Sequence, residues 1–171
     1  GAGAGEKVAV ATTFSSPWSL AKGTVFDVEC RDAKTGDGAF LSVIPGVDGR
    51  TLSDLPDSFL LDALFSPSGR FSFYGSPTGI KAKKSVIRDG YKYLDLTFAN
   101  LSQSTQTEIP RNAVASVTIP EGTDCAVVLV GSANSSRWRK GAEAEVRATV
   151  ESFRASRVST GLKVRAKERG A

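Results

Sequence analysis

The sequence predicts an α+β domain in which an antiparallel β-sheet is sandwiched by helices. Three observations lead there. Segments that alternate polar and apolar residues outnumber segments of helical period, as in Val25-Phe26-Asp27-Val28-Glu29-Cys30. Two such segments meet at Arg88-Asp89-Gly90, where Asp-Gly can take the positive φ values of a type I′ hairpin turn. Two stretches, one from Leu55 to Leu64 and one from Trp138 to Phe153, carry apolar residues at helical spacing and can cover a sheet.

In chain order, the small residues of 1–7 are expected to fray, and the folded domain runs over 8–156. The stretch FSSPWSLAKG reads as a short strand and turn, with Pro17 barring a helix and Trp18 anchoring the loop. After the strand ending at Cys30 comes the turn signal KTGDG, then the strand AFLSVIPGV, closed by Pro45 and Gly46. The period then changes. Leu55, Phe59, Ala63 and Leu64 recur at helical spacing, Ser53 or Asp54 can cap the start, and Pro56 suits a first turn. Pro67 and Gly69 end that helix.

IKAKKSVI and YKYLDLTF form the hairpin around Asp89-Gly90, with Leu94, Leu96 and Phe98 on one face and Tyr91, Tyr93 and Asp95 on the other. From Leu101 to Arg111 the polar run reads as an irregular loop. AVASVTIP and CAVVLVGSA then pair around Glu121-Gly122. Ala126 to Val130 is apolar on both faces, as befits a central covered strand. A last helix starts at Ser135 or Ser136 and presents Trp138, Ala142, Val146, Val150 and Phe153 to the core.

The 171 residues suffice for one core. No apolar run is long enough to cross a bilayer as a helix. The sequence holds no His, which removes Ser-His-Asp and Cys-His catalysis, imidazole bases and ordinary zinc sites, so a non-catalytic protein is expected. It also holds no Met, and a chain opening GAGAGEK reads as trimmed of a targeting peptide or cut at an arbitrary boundary.

Charge is unevenly placed. The 18 residues after Phe153 hold six of the 22 Lys and Arg but one of the 18 Asp and Glu, leaving −1 before that point and +5 after it. The tail, 157–171, is thus basic, with Arg157, Lys163, Arg165, Lys167 and Arg169. It carries no aromatic residue to stack on bases, so nucleic acid is not an expected partner. An acidic protein surface, anionic lipid, or no partner at all remain open. Cys30 and Cys125 are either two small buried thiols or a candidate disulfide closing a long loop.

The most specific pattern is Ser135 to Phe153. Its helix begins with Arg137, Arg139 and Lys140 around Trp138, where a helix N-terminus favours carboxylates instead. Either the cations face a partner, or they pair locally with Asp124 or Glu143. The strand VVLVGSA, the loop NSS, Arg137, Trp138, Lys140 and Gly141, then Ser152 and Phe153, together resemble the C-terminal strand-loop-helix of the PsbP family of thylakoid lumen proteins. FSSPW and DGYKYLDLTF match that family more weakly.

The resemblance, spanning about Phe14 to Ser156, implies a PsbP-like α-β-α fold in the chloroplast thylakoid lumen. It implies docking on a photosynthetic membrane complex, photosystem II first among them, as an auxiliary, assembly or extrinsic subunit without a transmembrane span. The candidate docking cations are Arg137, Arg139, Lys140, Arg157, Lys163, Arg165, Lys167 and Arg169. No cofactor is expected; calcium enters only through the family. The chain lacks the His of the family's metal sites and its Lys-rich N-terminal arm, which favours the divergent PsbP-domain class over the oxygen-evolving subunit. The architecture also resembles Ran-binding Mog-type proteins, so a non-photosynthetic binding module stays open, as does a redox-responsive one using Cys30 and Cys125.

Overall fold

A computed structural model describes residues 8–21, 28–65, 77–101 and 105–158. Seven strands form one antiparallel sheet in the order β2-β3-β4-β8-β7-β6-β5. They are β2 (Ser19–Leu20), β3 (Val28–Arg31), β4 (Gly38–Pro45), β5 (Thr78–Arg88), β6 (Tyr91–Leu101), β7 (Glu108–Thr118) and β8 (Cys125–Asn134). A separate ribbon pairs β1 (Ala9–Thr13) with β9 (Arg154–Val158). The helices are α1 (Asp57–Phe65), a short α2 (Ser135–Arg137) and α3 (Glu143–Glu151).

Alternation along the strands sorts the interior into two cores, one on each face of the sheet. Ala126, Val128 and Val130 of β8 join Leu94, Leu96 and Phe98 of β6 under Leu60, Leu64 and Phe65 of α1. Val127 and Leu129 point the other way and join Leu41, Val146, Val150 and Phe153 under α3. The sheet is therefore sandwiched by helices, as the period-two strands and two helical stretches require. Strand β8 lies between β4 and β7, and its residues 126–130 are essentially inaccessible, matching their two-sided apolar pattern.

Turn chemistry sets the registers. Asp89 and Gly90 have φ of 52° and 82°, the pair of left-handed residues that a type I′ hairpin needs, and Arg88 faces Tyr91 across it. The close seating of α3 depends on another glycine: a Cβ at Gly131 of β8 would lie 3.0 Å from Val146 Cγ1 and 3.1 Å from Val150 Cγ2.

Several expectations change. The stretch from Leu101 to Arg111 is not a loop throughout, since β6 reaches Leu101 and β7 starts at Glu108, pairing Leu101 with Glu108. Polar residues there occupy real strand ends that reach past the core. Helix α1 starts at Asp57; Thr51 to Leu55 instead form a turn in which the Asp54 N–H meets the Thr51 carbonyl at 3.1 Å. The last helix is broken rather than continuous, because Gly141 has φ of 111° and Lys140 lies off the helical region, so α2 and α3 meet at a bend. Neither Ser135 nor Ser136 caps it: the Ser135 hydroxyl donates to Asn112 Oδ1 at 2.6 Å.

The ribbon of β1 and β9 was not anticipated, and it carries regular pairing to Val158, two residues past Ser156. Residues 1–7, the N-terminal half of the expected strand at 25–30, the helix stop at Pro67 and Gly69, and tail residues beyond Val158 lie outside the described residues.

Candidate functional site

The bend between β8 and α3 gathers the motif cations, and it gives them different roles. Arg137 reaches back to the turn before β4. Its Nη2 lies 3.2 Å from Asp37 Oδ2, and its Nε donates to both carboxylate oxygens at 3.2 and 3.3 Å. The Asp37 side chain is only 3% exposed, against 45% for Arg137. Such a bidentate contact to a buried carboxylate fixes geometry as well as charge.

A second arginine completes this cluster from β7. Arg111 donates to Asn134 Oδ1 at 2.7 Å, Ser132 Oγ at 2.9 Å and the Gly36 carbonyl at 3.0 Å. Burial lowers its pKa from the ordinary arginine value, and the nearby Asp37 charge opposes that fall. Asp37 thus ties the β3-β4 turn to α2 through Arg137, while Arg111, within the field of the same carboxylate, ties that turn to β7 and β8 through Gly36, Ser132 and Asn134. The turn itself is held by Asp32, whose Oδ1 accepts from the Lys34 and Thr35 N–H groups at 2.8 and 3.2 Å. Those bonds lower its pKa below the usual aspartate range.

Trp138 is half-buried and packs against the α3-side core, so it roofs that core only in part. Over its ring, 5.9 Å from the centroid, stands the guanidinium of Arg147. Arg147 is itself held by Asp95 of β6 at 2.9 and 3.1 Å and by Glu143 at 2.8 Å. The hydrogen bonds to Asp95, with a smaller contribution from Glu143, raise its pKa further above the usual arginine value against the opposing effect of burial.

Arg139 and Lys140 behave differently from Arg137. Both are exposed on the bend, and among the described residues no carboxylate lies within ion-pair distance of either. The local partners expected from sequence are otherwise engaged, Glu143 with Arg147 and Asp124 Oδ1 with the Asp48 N–H at 2.8 Å. The real partner of Arg137, Asp37, stands 100 residues away in sequence and gave no local signal.

Arg157 is not a tail residue in the structural sense. It is in β9 opposite Val10, and its Nη1 donates to the Gly122 carbonyl at 3.3 Å. It borders an open groove of about 830 Å³ between the Asp89-Gly90 turn, the β7-β8 turn and β9. Lys163, Arg165, Lys167 and Arg169 lie outside the described residues. A second, narrower cleft of about 380 Å³ runs between β5, β6 and α3, with Val86, Tyr93 and Val114 as its apolar lining.

Cys30 and Cys125 are not bonded to one another, and the sheet explains why. Cys30 pairs with Ala39, which pairs with Gly131, so Cys125 lies six residues further along β8 and two strands across. That is about 20 Å along the strand and about 10 Å across. A disulfide needs Cα atoms within roughly 7 Å, so the candidate intramolecular bridge is incompatible with this register. Among the described residues, no three His, Cys, Asp or Glu side chains gather as a metal site, and no helix is long and apolar enough to cross a membrane.

No protein-family model matches this chain, and no curated protein matches it. Among solved structures, the chain is similar to LpqN, a protein involved in cell envelope biogenesis of Mycobacterium tuberculosis. The identity is 12%, with a TM-score of 0.47 over 90% of this chain and 87% of LpqN.

Proposed function

We propose that this chain is a non-catalytic docking module of the PsbP type, acting in the thylakoid lumen as an auxiliary, assembly or extrinsic subunit on a photosynthetic complex, photosystem II first. The observation that carries the reading is the division of labour within Arg137 to Gly141. Arg137 is spent on the buried Asp37 and fixes the bend, while Gly141 turns the chain through φ of 111°. Arg139 and Lys140 are left exposed on that rigid base.

Charges presented on a fixed base favour recognition, because little side-chain or backbone order must be gained on binding. They also steer an acidic surface toward the site, an effect that salt screens within about 8 Å at physiological ionic strength. The basic residues beyond Val158 extend the same charge in sequence. The PsbP assignment itself rests on the motif residues, and calcium has no support beyond that resemblance.

The test is a graded salt wash of the protein's own native membranes, followed by native electrophoresis to identify the complex with which it co-migrates. The full chain is compared with one ending at Val158, which retains β9. Co-migration with a photosystem that weakens with salt and on truncation supports docking through the basic surface. Absence from every membrane complex at low salt sinks the reading.

A further inference from the structure

Strand β5 ends the sheet, paired on one side by β6 and, among the described residues, by no strand on the other. It is 11 residues long, and ten of them are exposed. Such a length, about 36 Å, is uncommon for an edge without a cover, because the outward N–H and C=O groups of alternate residues form a template for another strand. Register shifts interrupt its first half, between Thr78 and Lys81 and between Ala82 and Lys84. From Lys84 to Arg88, however, it pairs residue for residue with Asp95 to Tyr91. This leaves a regular five-residue outer edge.

We propose that this edge binds an acidic, extended segment of a partner protein as an added strand. Charge selects the occupant. The strand carries Lys81, Lys83, Lys84 and Arg88 and no carboxylate. Two copies of β5 repel one another, which disfavours edge-to-edge self-association, whereas an acidic strand is attracted.

The cleft beside β5 sets the side-chain pattern. Lys84, Val86 and Arg88 share the α3 face, and Val86 is 40% exposed above Tyr93 and Val114. Arg88 lies at its rim, 4.7 Å from the Tyr93 ring centroid and 3.6 Å from the exposed carboxylate of Glu151. The deeper wall is electrostatically closed, since Arg147 is engaged by Asp95 and Glu143. An apolar side chain therefore suits the cleft better than a charged one. An added strand directs every second residue to this face, so the partner reads acidic, any, apolar, any, acidic. This surface is distinct from the Arg139-Lys140 bend, and it requires no particular compartment.

The probe is the synthetic peptide Thr-Glu-Thr-Phe-Thr-Glu-Thr, titrated into the full chain by NMR with amide exchange followed at residues 84–88. Binding is expected to slow exchange at the alternate amides of this stretch that face away from β6, the others being already paired, and Lys84→Glu with Arg88→Glu to weaken it by about tenfold or more. Two further peptides carry N-methyl groups on alternate sets of residues. One set removes the donors facing β5 and abolishes binding, while the other leaves it intact. Binding indifferent to both sets means a generic polyanion surface and overturns the proposal. So does protection of residues 84–88 by phosphatidylglycerol vesicles but not by the peptide. Both positions are exposed, so the charge variant should still fold although Arg88 gives up its contacts to Tyr93 and Glu151, and a cooperative thermal transition verifies this. Lys84→Glu alone leaves those contacts in place and should weaken binding in the same direction.

Discussion

The ion pair between Asp37 and Arg137 separates a structural cation from a presented one. Asp37 is buried and is flanked by Arg137 and Arg111, so removing either charge partner leaves another poorly solvated charge behind. Breaking a fully buried pair costs about 3–5 kcal/mol. Because the Arg137 side chain is 45% exposed, water replaces part of what it provides, and Arg137→Ala should cost about 1–2 kcal/mol. Asp37→Ala should cost more, about 2–3 kcal/mol, since Arg137 loses its carboxylate and Arg111, whose hydrogen-bond partners are all neutral, loses its nearby counter-charge. With a urea slope of about 2 kcal/mol/M, the midpoint falls by roughly 0.5–1 M and 1–1.5 M respectively. The double variant should fall short of the sum, because the residues share one network. Equilibrium urea unfolding followed by Trp fluorescence reads all three. An Arg137→Ala midpoint within about 0.2 M of the parent would refute the anchoring role.

Three further outcomes follow from packing and charge. Gly131→Ala should destabilise by about 1–3 kcal/mol by pushing against Val146 and Val150, lowering Tm by roughly 2–4 °C per kcal/mol. Adding Val150→Ala should cost less than the sum of the two singles in a thermal melt; strict additivity contradicts the proposed contact. Lys92 is buried on β6, with its Nζ 2.9 Å from Asp57 Oδ1 and 3.4 Å from the Leu55 carbonyl. Its replacement in Lys92→Met should change stability by less than about 1 kcal/mol, because the apolar chain fits the core and Asp57 is 41% exposed to water; Lys92→Ala should cost clearly more in the same unfolding assay. Asp32 has a depressed folded pKa, so the turn it holds is favoured above the unfolded aspartate value and lost as pH falls through the lower folded one. The Lys34 and Thr35 amide shifts should therefore titrate below the usual aspartate range, and a midpoint at or above it contradicts the hydrogen bonds.

The parts of the fold legible in sequence were those encoded by period and turn chemistry. Leu94, Leu96 and Phe98 alternate onto one core, and Asp89-Gly90 fixes the hairpin that places them there. Strand order was not legible, because β4 meets β8 across some 80 intervening residues without a local signal. The β1-β9 ribbon was missed for a related reason: AVATT and RASRV are short and weakly alternating, and their pairing arises from the fold. Gly141 marked the bend, but the helical spacing of apolar residues on both sides of it hid the break.

At the candidate site, composition exposed the cations without sorting them. Arg137, Arg139 and Lys140 look alike in sequence, and only the fold brings Asp37 to the first of them. The same long-range register separates Cys30 from Cys125, which no spacing rule reveals. Arg111 escaped notice entirely, since an isolated arginine in a polar run carries no sign that burial and three hydrogen bonds await it.

The docking account is tested most directly by the salt concentration that releases the full chain from its native membranes, measured for the parent and for Arg139→Glu with Lys140→Glu. Both residues are exposed and outside the Asp37 network, so the variant should fold normally. The account predicts release at clearly lower salt and loss of co-migration with the proposed photosynthetic partner. An unchanged release point and an unchanged complex would contradict it.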